Sequence, residues 1–402
     1  MRAILLTSLL CATQAQAAAR YWCGPATSLC TTATWACNDA GPVTNWTTAS
    51  NCVGANASVP GDADDVFFDG VGGGAADSTL SASITINSLD MTGYANTLTH
   101  NASVALTVDG NGVTFKLAGT YTKGSATSSQ LIFTGTSGTS LLTFAGLTTG
   151  NISFDGVGGG WQFQDAYAGV GATTIMTLTR GTLDTNGVAI TNGKVVCSGT
   201  AARTLTLGAS VITLSNSGIP WNCATTTLLV LNANTSTIKF TDAGATTKTF
   251  AGGGMTYNNV WLTGAGTGDF LVSGSNTFAD FKVDTPPQEI GFTSGTTTTV
   301  TTWTVAGTAG NLMTLYPITA ATSYTLTKAG GGTATCDYCS ISYSAGTPAT
   351  TWLATNSTNG EGNTGWCFGA ALAACDGGGR SSRGLGSLWP FRDVESELAW
   401  LP

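Results

Sequence analysis

The densest chemistry in the sequence is acidic. Asp62, Asp64, Asp65 and Asp69 crowd into the stretch Gly61–Asp69. Calcium takes six to eight oxygen ligands, and alternating loop aspartates commonly supply them. Asp62, Asp64 and Asp65 therefore form a candidate calcium site. EF-hand spacing is missing, and the competing expectation is a solvated loop that runs into a strand at Val66–Phe68. Glycoside cleavage needs two carboxylates facing one cleft. The candidate pairs are Asp155 with Asp165 and Asp280 with Asp284, because two of the four glutamates, Glu395 and Glu397, fall in the tail. Aspartates at turns and strand ends more often cap backbone amides, which is the plainer expectation for all four. His100 is the only histidine and Gly-x-Ser-x-Gly is absent, so multi-His metal centres are excluded and a serine triad has one available base. Beside Asn101, His100 reads as a surface turn residue. Trp161, Trp221, Trp261, Trp303 and Trp352 offer faces on which sugar rings stack, although core packing claims the same residues. No residue set here amounts to a catalytic site, and no cofactor beyond calcium is implied.

The elements that position these residues follow from composition. Charged residues make up 9% of the 402, far below an ordinary globular domain, and 54 are glycine. Threonine outnumbers all charged residues about two to one. Helices expose Glu, Lys and Arg on their outer faces, and this chain has few of them. Thr, Val, Ile and aromatics form strands, while Gly and Asn form tight turns. The chain is all-β. Fourteen basic residues and a net charge of -8 leave no surface able to neutralise phosphates, which excludes nucleic acid as a partner.

Residues 1–17 carry Arg2, the apolar run Ala3–Ala12 and the motif Ala15-Gln16-Ala17, the layout of a cleaved signal peptide. Ten apolar residues are too few to cross a bilayer, so no transmembrane segment is expected after cleavage. Losing Cys11 leaves ten cysteines in groups of four, two and four: Cys23, Cys30, Cys37 and Cys52; Cys197 and Cys223; Cys336, Cys339, Cys367 and Cys375. Even groups indicate local disulfides in an oxidising compartment. Cys197–Cys223 is the least ambiguous pair, and each group of four allows three connectivities. Zinc is the rival reading of the Cys336–Cys339 motif with Cys367 and Cys375, and an exported chain disfavours it.

Composition divides the chain further. Residues 18–69 read as a Cys/Trp-rich N-terminal cap and 70–310 as repeated short strands. Residues 311–375 read as a Cys-rich C-terminal cap and 376–402 as a flexible tail. In the tail Val394, Leu398 and Leu401 could line one face of a short docking helix. Phe68-Asp69-Gly70-Val71-Gly72-Gly73-Gly74 recurs letter for letter at 154–160, and Gly-Thr-Leu-Asp-Thr-Asn-Gly at 181–187 is a strand entering an Asn-Gly turn. Short strands at irregular spacing predict a parallel β-helix or β-solenoid, with tandem β-sandwich modules as the alternative. Threonine then serves as a β-branched residue tolerated on the outer wall.

Longer stretches carry a resemblance. They are 250–262, Gly274–Phe278, Phe281–Asp284, Ala306–Leu312, Cys336–Ser342 and Gly362–Phe368, with Arg20–Trp22 and Val59–Asp69. The chain resembles an uncharacterised group of Gly/Thr-rich β-repeat proteins of phage and prophage genomes and of bacterial secreted proteins. The resemblance covers most of residues 20–370 and implies a β-rich, virion-associated or surface-exposed protein, with no catalytic residues to transfer. The chain departs from that group in carrying cysteines at 23, 339 and 367. Two pairings stay open there: Cys339–Cys367 with Cys336–Cys375, or Cys336–Cys339 with Cys367–Cys375. The expected function is a non-enzymatic, secreted or cell-surface structural and adhesive solenoid, with surface or virion proteins and glycans as partners. Carbohydrate binding is the alternative, and a polysaccharide lyase or glycosidase comes last.

Overall fold

Alternation sets the elements. In Thr97–His100 the side chains of Leu98 and His100 are buried and those of the two threonines are not; Met313–Pro317 buries Met313, Leu315 and Pro317 in the same way. A strand with one apolar edge must turn that edge inward. The computed structural model describes residues 17–24, 34–35, 45–72, 75–264 and 266–369. Nearly all of the candidate signal peptide, Cys30, Cys37, Cys375 and the tail lie outside them. Among the described residues there is no α-helix, and no helix is long and apolar enough to cross a membrane.

The strands coil into a β-solenoid of about 13 turns with parallel ladders between turns. One wall is followed inside by Leu106, Leu131, Ile152, Met176, Val195, Trp221, Phe250, Val272 and Phe292, each paired with the next and each buried. Burying such a side chain stabilises the fold by roughly 1.5–3 kcal/mol, so every turn adds several stabilising contacts. A second wall runs through Asp64–Phe67, Ser88–Asp90, Thr114–Lys116 and Thr139–Thr143. The third includes Val211–Leu214, Thr237–Phe240, Thr256–Leu262, Thr277–Val283 and Thr297–Val305. Tandem sandwiches are excluded by this parallel pairing. Along this first wall lap length varies from 19 residues (Met176 to Val195) to 29 (Trp221 to Phe250), because the corners differ in length while the ladders stay in step.

The repeated Phe-Asp-Gly-Val-Gly motif marks two places where laps approach closely. A Cβ at Gly156 or Gly159 would strike the Gly135 carbonyl, and one at Gly70 would strike that of Gly93. Both copies use glycine to bring neighbouring backbones together. The Asn-Gly turn forms as expected: Asn186 and Gly187 take φ of 53° and 71°, and Asp184 accepts the Asn186 N–H at 2.8 Å.

The cysteine-rich ends continue the coil. Ala18–Trp22 pairs in parallel with Asp64–Phe67 and adds a rung on which Trp22, Trp35, Trp46 and Phe68 pack with ring centroids 5.4–5.7 Å apart. Past residue 310 the laps go on through Met313–Pro317, Cys339–Ile341 and Thr358–Asn359. Trp303 meets Trp352 edge-to-face and Trp352 meets Trp366 at a tilt, with ring centroids 5.4 and 4.9 Å apart.

Cys197 and Cys223 are disulfide-bonded, with Cα atoms 4.7 Å apart. They follow Val196 and Asn222, which face each other on successive rungs, so this bond runs along the coil axis. Cys23 bonds Cys52. Cys336 bonds Cys339, which overturns the Cys339–Cys367 pairing. Tyr338, at φ 51°, bends the chain between two strands so that both thiols turn inward. Cys367 sits opposite Leu353 instead and is disulfide-bonded as well. With Cys336, Cys339 and Cys367 bonded, three of the four sulfurs of the zinc reading are not thiolates.

Candidate functional site

The residues singled out for chemistry are placed apart. Asp64 and Asp65 are neighbours on one strand and point to opposite faces. Asp64 holds Arg20 at 3.2 Å and accepts the Gly61 N–H at 2.9 Å. Asp65 accepts the amide of Asn87 at 2.6 Å and the hydroxyl of Ser88 at 2.5 Å, while Asp62 is exposed. Asp69 accepts Ser50 Oγ and the N–H groups of Asn51 and Val71. These oxygens are spent on holding the first turns together. Among the described residues no group of three or more His, Cys, Asp or Glu is placed to hold a metal ion. Asp155 pairs with Arg180, and Asp165 accepts the Phe144 and Ala145 N–H groups at 2.8 and 2.6 Å. Both carboxylates are engaged within the coil.

His100 corrects the surface-turn expectation. It is fully buried, contacting the Tyr121 hydroxyl and, at 2.9 Å, the Val104 carbonyl. Burial pushes its imidazole below the ordinary value, against a smaller opposing pull from the Val104 carbonyl. It is a core residue.

Of the five tryptophans considered for sugar stacking, Trp161, Trp221, Trp303 and Trp352 are buried. Trp261 is half-buried, and parity explains why: Val260 and Leu262 on either side point into the core. Two outward columns meet at Trp261. Lys239, Trp261 and Lys282 lie in register on successive rungs, and beside them Thr237, Asn259 and Asp280 do the same. Lys239 and Lys282 place their ammonium groups 4.4 and 3.9 Å from the indole centroid. Trp261 Nε1 donates to Asp284 at 2.9 Å, and Asp284 lies 3.5 Å from Lys282. Asn259 donates to Thr237 Oγ1 at 3.3 Å. Thr304 donates to Asp280 at 3.4 Å. Burial pushes the Asp280 carboxyl up, while Thr304 and Lys282 pull it down.

Val211, Thr237, Lys239, Asn259, Trp261, Asp280 and Lys282 line an open groove of about 320 Å³, with Asp284 behind the indole N–H. Asp280 accepts from Thr304, and Asp284 is committed to Trp261 and Lys282. The groove offers donors, acceptors and an indole. Sequence reasoning did not single out Lys239, Asn259 or Lys282. Their signal was available as equal parity on strands one lap apart. No known protein family, curated protein or solved structure matches the chain.

Proposed function

We propose that the chain is an exported structural and adhesive solenoid of a cell or virion surface, of phage or prophage origin, working by shape and wall chemistry rather than catalysis. One observation carries this reading: the outer columns are ladders of hydroxyls with little charge. Thr85 faces Thr107, Ser153 faces Thr177 and Thr182 faces Thr204. Thr299, Thr327 and Thr347 form another column, with the last two hydroxyls 2.7 Å apart. Such a wall presents hydrogen-bonding groups at every rung and needs no counter-ion. Export is supported by the bonded cysteines, since disulfides persist in oxidising compartments. It is supported too by Ala18, one residue past the Ala-x-Ala motif, which is already a ladder residue opposite Asp64.

The test is to express the full chain with its own leader in a bacterium, separate the compartments, and sequence the mature N-terminus. A chain beginning near Ala18, oxidised and attached to the envelope or to particles, is the expected result. A cytosolic chain with its leader intact and its thiols free would refute the reading.

A further inference from the structure

We propose that the groove around Trp261 binds an uncharged saccharide chain lying along the coil axis, with Trp261 as its apolar contact and Asn259 and Asp280 as partners of the sugar hydroxyls. This deepens the adhesive reading, on which it rests, by naming what the wall holds.

Charge decides against an ionic ligand. Lys239 and Lys282 are matched by Asp280 and Asp284 around the same ring, so an acidic glycan brings its carboxylates to two aspartates and a basic one its amines to two lysines. A neutral sugar meets neither repulsion. Its hydroxyls both donate and accept, and the groove answers with both. Asn259 supplies an amide, Asp280 an acceptor and Lys239 a donor, all on outward positions of adjacent rungs. Adjacent rungs lie roughly 4.8 Å apart, about the length of one pyranose unit, so the spacing suits successive sugars. The indole is held before any ligand arrives. Its N–H is fixed by Asp284 and its ring is flanked by two lysines, which lowers the ordering cost of binding. Val211, exposed at the head of the Thr237–Asn259–Asp280 column, extends the apolar surface. The volume of about 320 Å³ sits at the lower end of small-ligand sites, roughly 300–1,000 Å³, as suits a short stretch of glycan. Beyond it the columns run on into Thr302 and Thr304, which continue the hydroxyl track.

The experiment titrates the oxidised full chain with cellohexaose, maltohexaose and mannohexaose, and with hexagalacturonate and chitosan hexamer as charged controls, following tryptophan fluorescence and heat. At least one neutral hexasaccharide is expected to bind, with affinity at least tenfold lower in Trp261→Ala and in Asn259→Ala. Both positions face outward, so circular dichroism should match the parent. Binding of no neutral probe, preference for a charged one, or undiminished binding by both variants would each overturn the proposal. Envelope attachment measured on the same variants separates the two ideas. A chain that is exported and attached without binding sugar leaves the surface reading standing alone. A cytosolic chain that binds through Trp261 leaves the groove standing alone.

Discussion

Arg203 is 2% exposed and faces no acid. Its guanidinium instead donates to the carbonyls of Cys197 and Ala201 on one corner, at 2.6 and 2.7 Å, and of Thr225 and Thr227 on the next, at 2.5 and 2.9 Å. One cation therefore satisfies four carbonyls that no ladder reaches. Replacing Arg203→Met strands them, and with charged hydrogen bonds contributing about 1.5–3 kcal/mol, a loss of roughly 3 kcal/mol is expected from the urea midpoint. His100 makes a different prediction. Its folded pKa lies below the unfolded value near 6.5, so its contribution is intact above pH ~6.5 and is lost as pH falls through that value, because only the unfolded chain takes up the proton there. The slope approaches about 1.4 kcal/mol per pH unit. His100→Gln should flatten stability between pH 7 and 5.5, and an unchanged slope would remove His100 as its source.

Among the elements, the rung is the unit and the axial disulfide its fastener. Closing a 26-residue loop is worth about 3.5 kcal/mol of chain entropy. Cys197→Ala with Cys223→Ala should therefore lower unfolding stability by roughly 3 kcal/mol. Gly156→Val should cost more than that, since its side chain would meet the Gly135 carbonyl, and soluble yield together with the thermal midpoint reads the effect. Much of this was legible beforehand. Alternating Thr and aliphatic residues announced rungs, and an isolated cysteine pair announced its own bond. What was hidden depended on parity. His100 borders Asn101, Ala102 and Ser103, which resemble a turn, yet it continues the inward alternation begun by Leu98. Trp161, Trp221, Trp303 and Trp352 look like sugar platforms by type and prove to be core by position. Lap length also hid the groove, because Lys239, Trp261 and Lys282 stand 22 and 21 residues apart, a step visible only once the coil is known. The choice of Cys336–Cys339 turned on one left-handed residue, Tyr338, that spacing does not reveal.

For the whole molecule, stability rests on stacked apolar interior and on backbone ladders. The ion pairs among the described residues include only Arg20–Asp64, Arg180–Asp155, Lys248–Asp242 and Lys282–Asp284. Raising salt from 0.05 to 1 M screens exposed charges within about 3 Å, so the denaturation midpoint should hardly move, by less than ~1 kcal/mol; a large drop would mean that charge pairs hold the coil together. The single-file stacking of about 13 turns also gives the molecule a direction in which it can be pulled. A coil peels from its ends, one lap at a time. Cys197 and Cys223 tie one lap to the next, so tension reaching that point finds a closed loop that cannot pay out. About 90 Å of contour, at ~3.5 Å per residue, stays locked until the sulfurs are reduced. Half-way along its length the coil thus keeps one lap closed while the laps on either side pay out under load.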